Sequence, residues 1–250
     1  MLSEDIWACP WFSPWQAIGK DILQAWQQQP NALHACLAKK QTEFKAVAQE
    51  ELPSDEAYEA FIARTQTVPT RNNAHDFFNG LCWLRFPQTK QQLNRLQAQA
   101  IAQQGVQDTR GALRDALTLF DENAALLYAP EVLWQALQAQ DWQRLFVTLR
   151  DEWKAAQLTL FGHALLEKLL HPYKAITAHV LCLSVPNEVH IAGDQALDTW
   201  LSHQLDADAM QRKPFLPIPV LGIPGWWKPN ENSSFYDDTH VFRPQKKQGY

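Results

Sequence analysis

The stretch ALTLFDENAALLYAP, residues 116–130, decides how the chain is read. Two short apolar runs flank Asp121, Glu122 and Asn123, which have turn chemistry, so the segment is expected to form a β-hairpin. A second strand is expected in ITAHVLCLSVP, residues 176–186, which is rich in β-branched residues and stops at Pro186. Outside these runs the apolar spacing is helical. Pro14 to about Leu37 predicts helix interrupted near Pro30, with Trp15, Ile18, Ile22 and Trp26 on one face and Ser13-Pro14 as a good start. A polar stretch over 39–53 follows, then a helix capped by Ser54 and Asp55 and running to about Arg64, then a loop in TQTVPTRNN.

HDFFNGLCWLRFP, residues 75–87, predicts a buried helix, and 88–104 an exposed one with Leu93, Leu96 and Ile101 turned inward. Residues 130–156 read as helix with a break near Gln140-Asp141, and LTLFGHALLEKLLHP runs through Gly162 into a helix closed by Pro172. A last helix is expected over 193–204. Five prolines between Pro214 and Pro229 then impose an extended, irregular course. The fold class is α+β: predominantly helical, with a small antiparallel sheet or β-hairpin and a Pro/Trp-rich strap over 214–244. One domain is expected, since no Gly/Ser linker divides the chain, with 245–250 as a flexible tail.

Composition bounds the function. Hydrophobic residues make up 46% of the 250 and charged residues 20%, and 11 Trp and 12 Phe provide an ample core. A net charge of −5 offers no Lys/Arg surplus for phosphate backbones, so no nucleic-acid partner is expected. Nine glycines leave little for a Gly-rich nucleotide loop. Cys9, Cys36, Cys82 and Cys182 are dispersed and read as reduced thiols. The N-terminus lacks a basic, apolar leader, and runs such as AHVLCLSV are too short to cross a bilayer. A cytoplasmic protein with no membrane partner is expected.

Three polar clusters carry candidate chemistry. In HDFFN, a helix puts His75 and Asn79 one turn apart with Asp76 adjacent, so His75 could act as a base or metal ligand. The simpler reading makes Asp76 an anion at the helix start, where the dipole is positive. In RGALRDALTLFDEN, Arg110 and Arg114 could grip a phosphate or carboxylate, followed by Asp115; Asp121 and Glu122 offer oxygens to a divalent cation. Here too a plain alternative exists, with Arg–acid pairs locking the hairpin and Asn123 completing an ordinary turn. In GHALLEK, His163 and Glu167 are spaced i, i+4, which suits a histidine held by a carboxylate or a metal pair. His179 is a lone histidine in an apolar strand, which most often is a hydrogen-bonded core residue. No G-x-S-x-G, Walker loop, dinucleotide fingerprint or EF-hand loop is present.

At the far end, Pro224-Gly225 predicts a tight turn. FYDDTHVF, if extended, alternates Asp237 and Arg243 with Asp238 and His240. A strap pinned by Trp226, Trp227, Tyr236 and Phe242 could bring Asp237, Asp238 or Arg243 to the edge of a pocket.

Three blocks, RDALTLFDENAALL (114–127), FGHALLEKLLHP (161–172) and PIPVLGIPGWWKPNENSSFYDDTHVFRP (217–244), give the chain a resemblance to a family. It resembles the bacterial, mainly proteobacterial, domain of unknown function numbered 3025, from about HDFFNGLCWLRFPQTK to VFRP. That resemblance implies no activity, cofactor or catalytic residue. Such proteins typically carry Gly after D-E-N, where this chain has Ala124, which favours a turn without a left-handed residue.

Two functions follow from the residues. The first is a hydrolase, metal-assisted or driven by a carboxylate or histidine base, acting on a small polar molecule. Its catalytic set is His75, Asp76, Arg114, Asp115, His163 and Glu167. Arg110, Asp121, Asn123, Trp226, Asp237, Asp238 and Arg243 are its candidate binding residues, and a divalent metal its candidate cofactor. The second is a binding or scaffold protein that presents Trp7, Trp11, Trp15, Trp226 and Trp227 to a protein partner.

Overall fold

The computed structural model describes residues 2–40, 44–104 and 111–245; Arg110 and, of the tail expected at 245–250, residues 246–250 lie outside the described residues. Helices dominate. The N-terminal part holds α1 (Gln16–Gln28), α2 (Leu33–Ala38), β1 (Lys45–Ala48), α3 (Tyr58–Thr65) and β2 (Thr67–Thr70). Then come α4 (Ala74–Arg85), α5 (Pro87–Gln104), α6 (Ala112–Asn123), β3 (Ala124–Tyr128) and α7 (Glu131–Gln138). The remainder is β4 (Gln157–Leu160), α8 (His163–Lys168), β5 (Thr177–Leu181), α9 (Asn187–Ala192), α10 (Asp194–Gln204), α11 (Ala207–Gln211) and β6 (Phe215–Pro219).

The expected hairpin at 116–130 is instead a helix passing straight into a strand. Ala116, Leu117 and Phe120 are buried at helical spacing, and Asp121, Glu122 and Asn123 form the last turn of α6. The apolar run ALTLF was too short for its period to be told from a strand by inspection. No left-handed residue is needed at the junction, because Ala124 is already extended at φ −76°. Its N–H still closes the helix onto Phe120 O.

β3 then sits inside a four-stranded sheet of order β4-β3-β5-β6. β3 runs antiparallel to β4 but parallel to β5, so the sheet is mixed rather than antiparallel. β6, from the proline-rich segment, pairs antiparallel with β5. A second, two-stranded sheet joins β1 and β2 in parallel, where a polar stretch and a loop are expected from the sequence. The 130–156 helix breaks where expected, at Gln140 with φ 50°, and continues as π and 3-10 turns.

One cluster of buried side chains runs from Trp7 to Phe242. Phe12 stacks on Phe78 at 5.4 Å and Trp26 on Phe77 at 5.6 Å, so the N-terminal segment backs α4. The strap closes the other side. Asn230 is fully buried and its amide donates to Leu221 O and Ile223 O at 2.8 and 2.7 Å. Tyr236 donates to Gly222 O, and Gly225 has the positive φ, 79°, that the Pro-Gly turn requires. FYDDTHVF is not a strand: Ser233–Asp237 is a 3-10 turn, and Val241 and Phe242 fold back onto Asp238 O.

Gly162 is the tightest join. A Cβ there would lie 2.4 Å from Glu122 O and 2.5 Å from Asn123 N, so the start of α8 abuts the backbone end of α6. Both Phe161 N and Gly162 N donate to Ala124 O at 2.9 Å. Since the obstacle is main chain, it cannot rotate away. Gly162→Ala is expected to cost about 1–3 kcal/mol or more in urea unfolding, and an unchanged midpoint would count against this packing.

Candidate active site

A cavity of about 460 Å³ opens between α3, α4, α6 and α8. α4 gives it His75, Asp76 and Asn79, and α6 gives it Arg114, Thr118, Asp121 and Glu122. The α6 residues fall at i, i+4, i+7 and i+8, one face of a helix whose opposite face is core. Tyr58 and Glu59 of α3, Arg71 after β2, and His163 at the first position of α8 complete the wall.

The histidines are joined. His75 Nδ1 lies 2.8 Å from Glu167 Oε2, and His75 Nε2 lies 3.0 Å from His163 Nε2. With Nδ1–H donated to the carboxylate, a neutral His75 presents Nε2 as an acceptor toward His163. If His75 takes a second proton, that bond reverses and His163 must carry its own proton on Nδ1. That nitrogen is buried without a hydrogen-bond partner and faces Asp121 Oδ2 at 3.7 Å. Asp121 in turn accepts from Lys90 Nζ, whose side chain is 4% exposed. Lys90 also donates to Asn79 Oδ1 at 2.8 Å, and the Asn79 amide donates to Tyr58 at 3.2 Å. One hydrogen-bonded run therefore joins Glu167 to both histidines, a second joins Asp121, Lys90, Asn79 and Tyr58, and the two face each other across the 3.7 Å between His163 Nδ1 and Asp121.

Burial, with Lys90 and His75 nearby, depresses the His163 imidazole to about 4, although Asp121 opposes the shift. Burial pushes the Asp121 carboxyl up, but its cationic neighbours, Lys90 first among them, hold it below its ordinary value. Burial raises Glu59, despite a hydrogen bond from Asn94, and raises the Tyr58 phenol well above its ordinary range. His163 is thus neutral at pH 7 while Asp121 is charged. Between its ordinary 6.5 and about 4, the unfolded chain binds a proton that the folded one refuses. Stability is then lost as pH falls through that window, by roughly 3 kcal/mol for two and a half pKa units. The measurement is urea stability of wild type minus His163→Gln at pH 7 and pH 4.5. Parallel curves for the two proteins would sink the assignment.

Not every candidate residue reaches the cavity. His75, Asp76, Arg114, Asp121 and His163 line it, and Glu167 joins it through His75. Glu167 therefore holds His75, not the His163 four residues before it. Asp76 is committed to structure: it accepts from Arg71 N at 2.6 Å and Arg71 Nη2 at 2.8 Å, while its own N–H is capped by Asn73.

Asp115 is exposed on the far side of α6 and faces Lys213 at 4.0 Å. Asn123 accepts from Lys168 at 3.1 Å. The strap residues belong elsewhere. Asp237 accepts from Gln143 and Asp238 from Lys174, Arg243 donates to His240 O, and Trp226 packs 6.4 Å from Trp11. None of these four strap side chains lines the cavity. His179 meets Phe215 edge-on in β5 and is absent from the cavity wall.

Sequence reading missed Lys90, Tyr58 and Glu59. A signal for Lys90 existed: Lys90, Asn94 and Gln97 interleave with Leu93 and Leu96, and all five are buried. Among the described residues, no group of three or more His, Cys, Asp or Glu side chains is arranged to hold a metal ion. Among them also, no helix is long and apolar enough to cross a membrane.

Comparison with known families matches residues 44–246 to a protein of unknown function, DUF3025. The chain belongs to this family. No curated protein and no solved structure matches it. The DUF3025 match spans every residue of both runs, from Tyr58 to Glu167. It leaves outside the N-terminal rings that pack behind α4.

Proposed function

We propose that this protein is a cytoplasmic bacterial hydrolase of small polar molecules in which His75, held by Glu167, activates water. The observation that carries the reading is the Glu167–His75–His163 chain opening into a 460 Å³ cavity. A carboxylate behind one imidazole nitrogen fixes the tautomer and makes the other nitrogen the base. His163, neutral and 5% exposed, is suited to pass a proton rather than to hold a charge. Arg71 and Arg114 in the wall supply donors for the polar groups of a substrate. All four cysteines are free thiols, in keeping with a reducing compartment.

The aromatic-surface reading finds less support. Trp7, Trp11 and Trp15 are 5%, 4% and 1% exposed, so they build the core and are not presented to a partner.

The test is hydrolysis of p-nitrophenyl acetate and p-nitrophenyl phosphate by wild type and His75→Asn. Wild type is expected to turn over at least one of them, with kcat lowered about 10²- to 10⁴-fold in the variant. Equal rates, or no turnover by wild type, overturn the reading.

A further inference from the structure

Glu167 lies between two cavities. On one side its carboxylate holds His75 in the wall of the candidate active site. On the other it lines a separate cavity of about 740 Å³, together with Leu170, His171 and Asn73. The outer wall of this second cavity comes from the N-terminal segment, through Leu2, Ser3, Ile6 and Trp26. None of the residues lining the first cavity lines the second, so the Glu167–His75 hydrogen bond joins two cavities with distinct walls. The pair is partly open at both ends: the side chains of His75 and Glu167 are 30% and 41% exposed.

We propose that Glu167 is a proton-passing and positioning residue, and that the second cavity is the port through which the site exchanges protons with solvent. This rests on the hydrolytic reading for its purpose. Hydrolysis of an ester at neutral pH breaks the acyl–oxygen bond, forms a new one to water oxygen, and yields an alcohol and a carboxylate. Water brings two protons; the alcohol keeps one and one is left over. When water displaces the His163 N–H from His75 Nε2, that nitrogen takes a proton from the attacking water while the Nδ1 proton moves to Glu167 Oε2. As the acyl–oxygen bond breaks, the Nε2 proton passes to the leaving alkoxide and Glu167 returns its proton to Nδ1, so both side chains end as they began. The left-over proton is that of the new carboxylic acid, which loses it to water; between turnovers the Glu167–His75 pair exchanges its Nδ1 proton with water in the second cavity. No oxidant, reductant or further reactant is needed.

Two amides of the second cavity are already engaged. The side-chain oxygen of Asn73 is occupied in accepting from Asp76 N, and that of Asn72 in accepting from Leu33 N. His171, four residues after Glu167, is exposed and lines the same cavity.

The test needs no substrate. In protein carrying ¹⁵N-labelled histidine, exchange of the His75 Nδ1 proton with water is measured by NMR in wild type, Glu167→Gln and Leu170→Trp. Gln still accepts the Nδ1–H bond but cannot take the proton away. Trp at 170 fills the second cavity and leaves the carboxylate in place. Both variants are expected to slow exchange about tenfold or more, with the His75 nitrogen shifts showing the bond intact. Exchange at the wild-type rate in Glu167→Gln overturns the relay. Slowing in Glu167→Gln with none in Leu170→Trp overturns the port. Because exchange is read without turnover, either failure is distinct from failure of the hydrolase reading, which the ester and phosphate assays decide.

Discussion

A chain ending at Val220 is expected to be insoluble, or to melt without a cooperative transition. The segment removed carries Leu221, Ile223, Phe235, Tyr236 and Phe242, none more than 9% exposed. Burial of each such side chain stabilises by about 1.5–3 kcal/mol, so the set contributes on the order of 10 kcal/mol. Whole domains are stable by only about 5–15 kcal/mol. The loss is compounded by what remains: Phe146 loses its partners Tyr236 and Phe242, and Trp142 loses the carbonyl of Arg243 that accepts its indole N–H. Arg150 also loses Asn230 and Tyr236. Soluble yield and a circular-dichroism melt are the measurements. A soluble truncated chain with a sharp transition would show the strap to be an accessory.

The second large effect is expected at Asp121. Among the described residues, Asp121→Ala leaves the buried Lys90 ammonium with Asn79 as its hydrogen-bond partner. Removing one member of a buried ion pair typically costs about 3–5 kcal/mol, because the remaining charge stays desolvated. Adding Lys90→Met removes that charge with little change in volume, so the double variant is expected to recover much of the loss. Urea midpoints of the wild type, both single variants and the double variant give the coupling directly. A cost below about 1 kcal/mol for Asp121→Ala would mean that the pair is hydrated, and would remove the electrostatic argument for a neutral His163.

How far the sequence could be read depended on segment length. The helix at 75–87 and the break at Gln140 were legible because the period ran long enough, or because flanking residues forced a change. The segment 116–130 was misread because five apolar residues fit either period and Asp-Glu-Asn serves a helix end as readily as a turn. That single misreading hid the site. With 112–123 as a helix, Arg114, Thr118, Asp121 and Glu122 would have fallen on one face at once. The partnership of His75 with Glu167 crosses from α4 to α8 over 92 residues of sequence, and no local spacing encodes it. The strap aspartates were judged by alternation along a strand, a rule that fails where the backbone turns in 3-10 geometry.

The rings that stack behind α4 have a practical consequence. Phe12 and Trp26 lie before residue 44, where the family match begins, yet they pack on Phe78 and Phe77 beside His75. The boundary of the family match and the boundary of the folded unit therefore do not coincide. A chimaera that joined residues 44–246 to another relative's leader would inherit every polar side chain of the histidine chain. It would still have to supply two aromatic plates of the right shape before the helix bearing His75 could keep its seat.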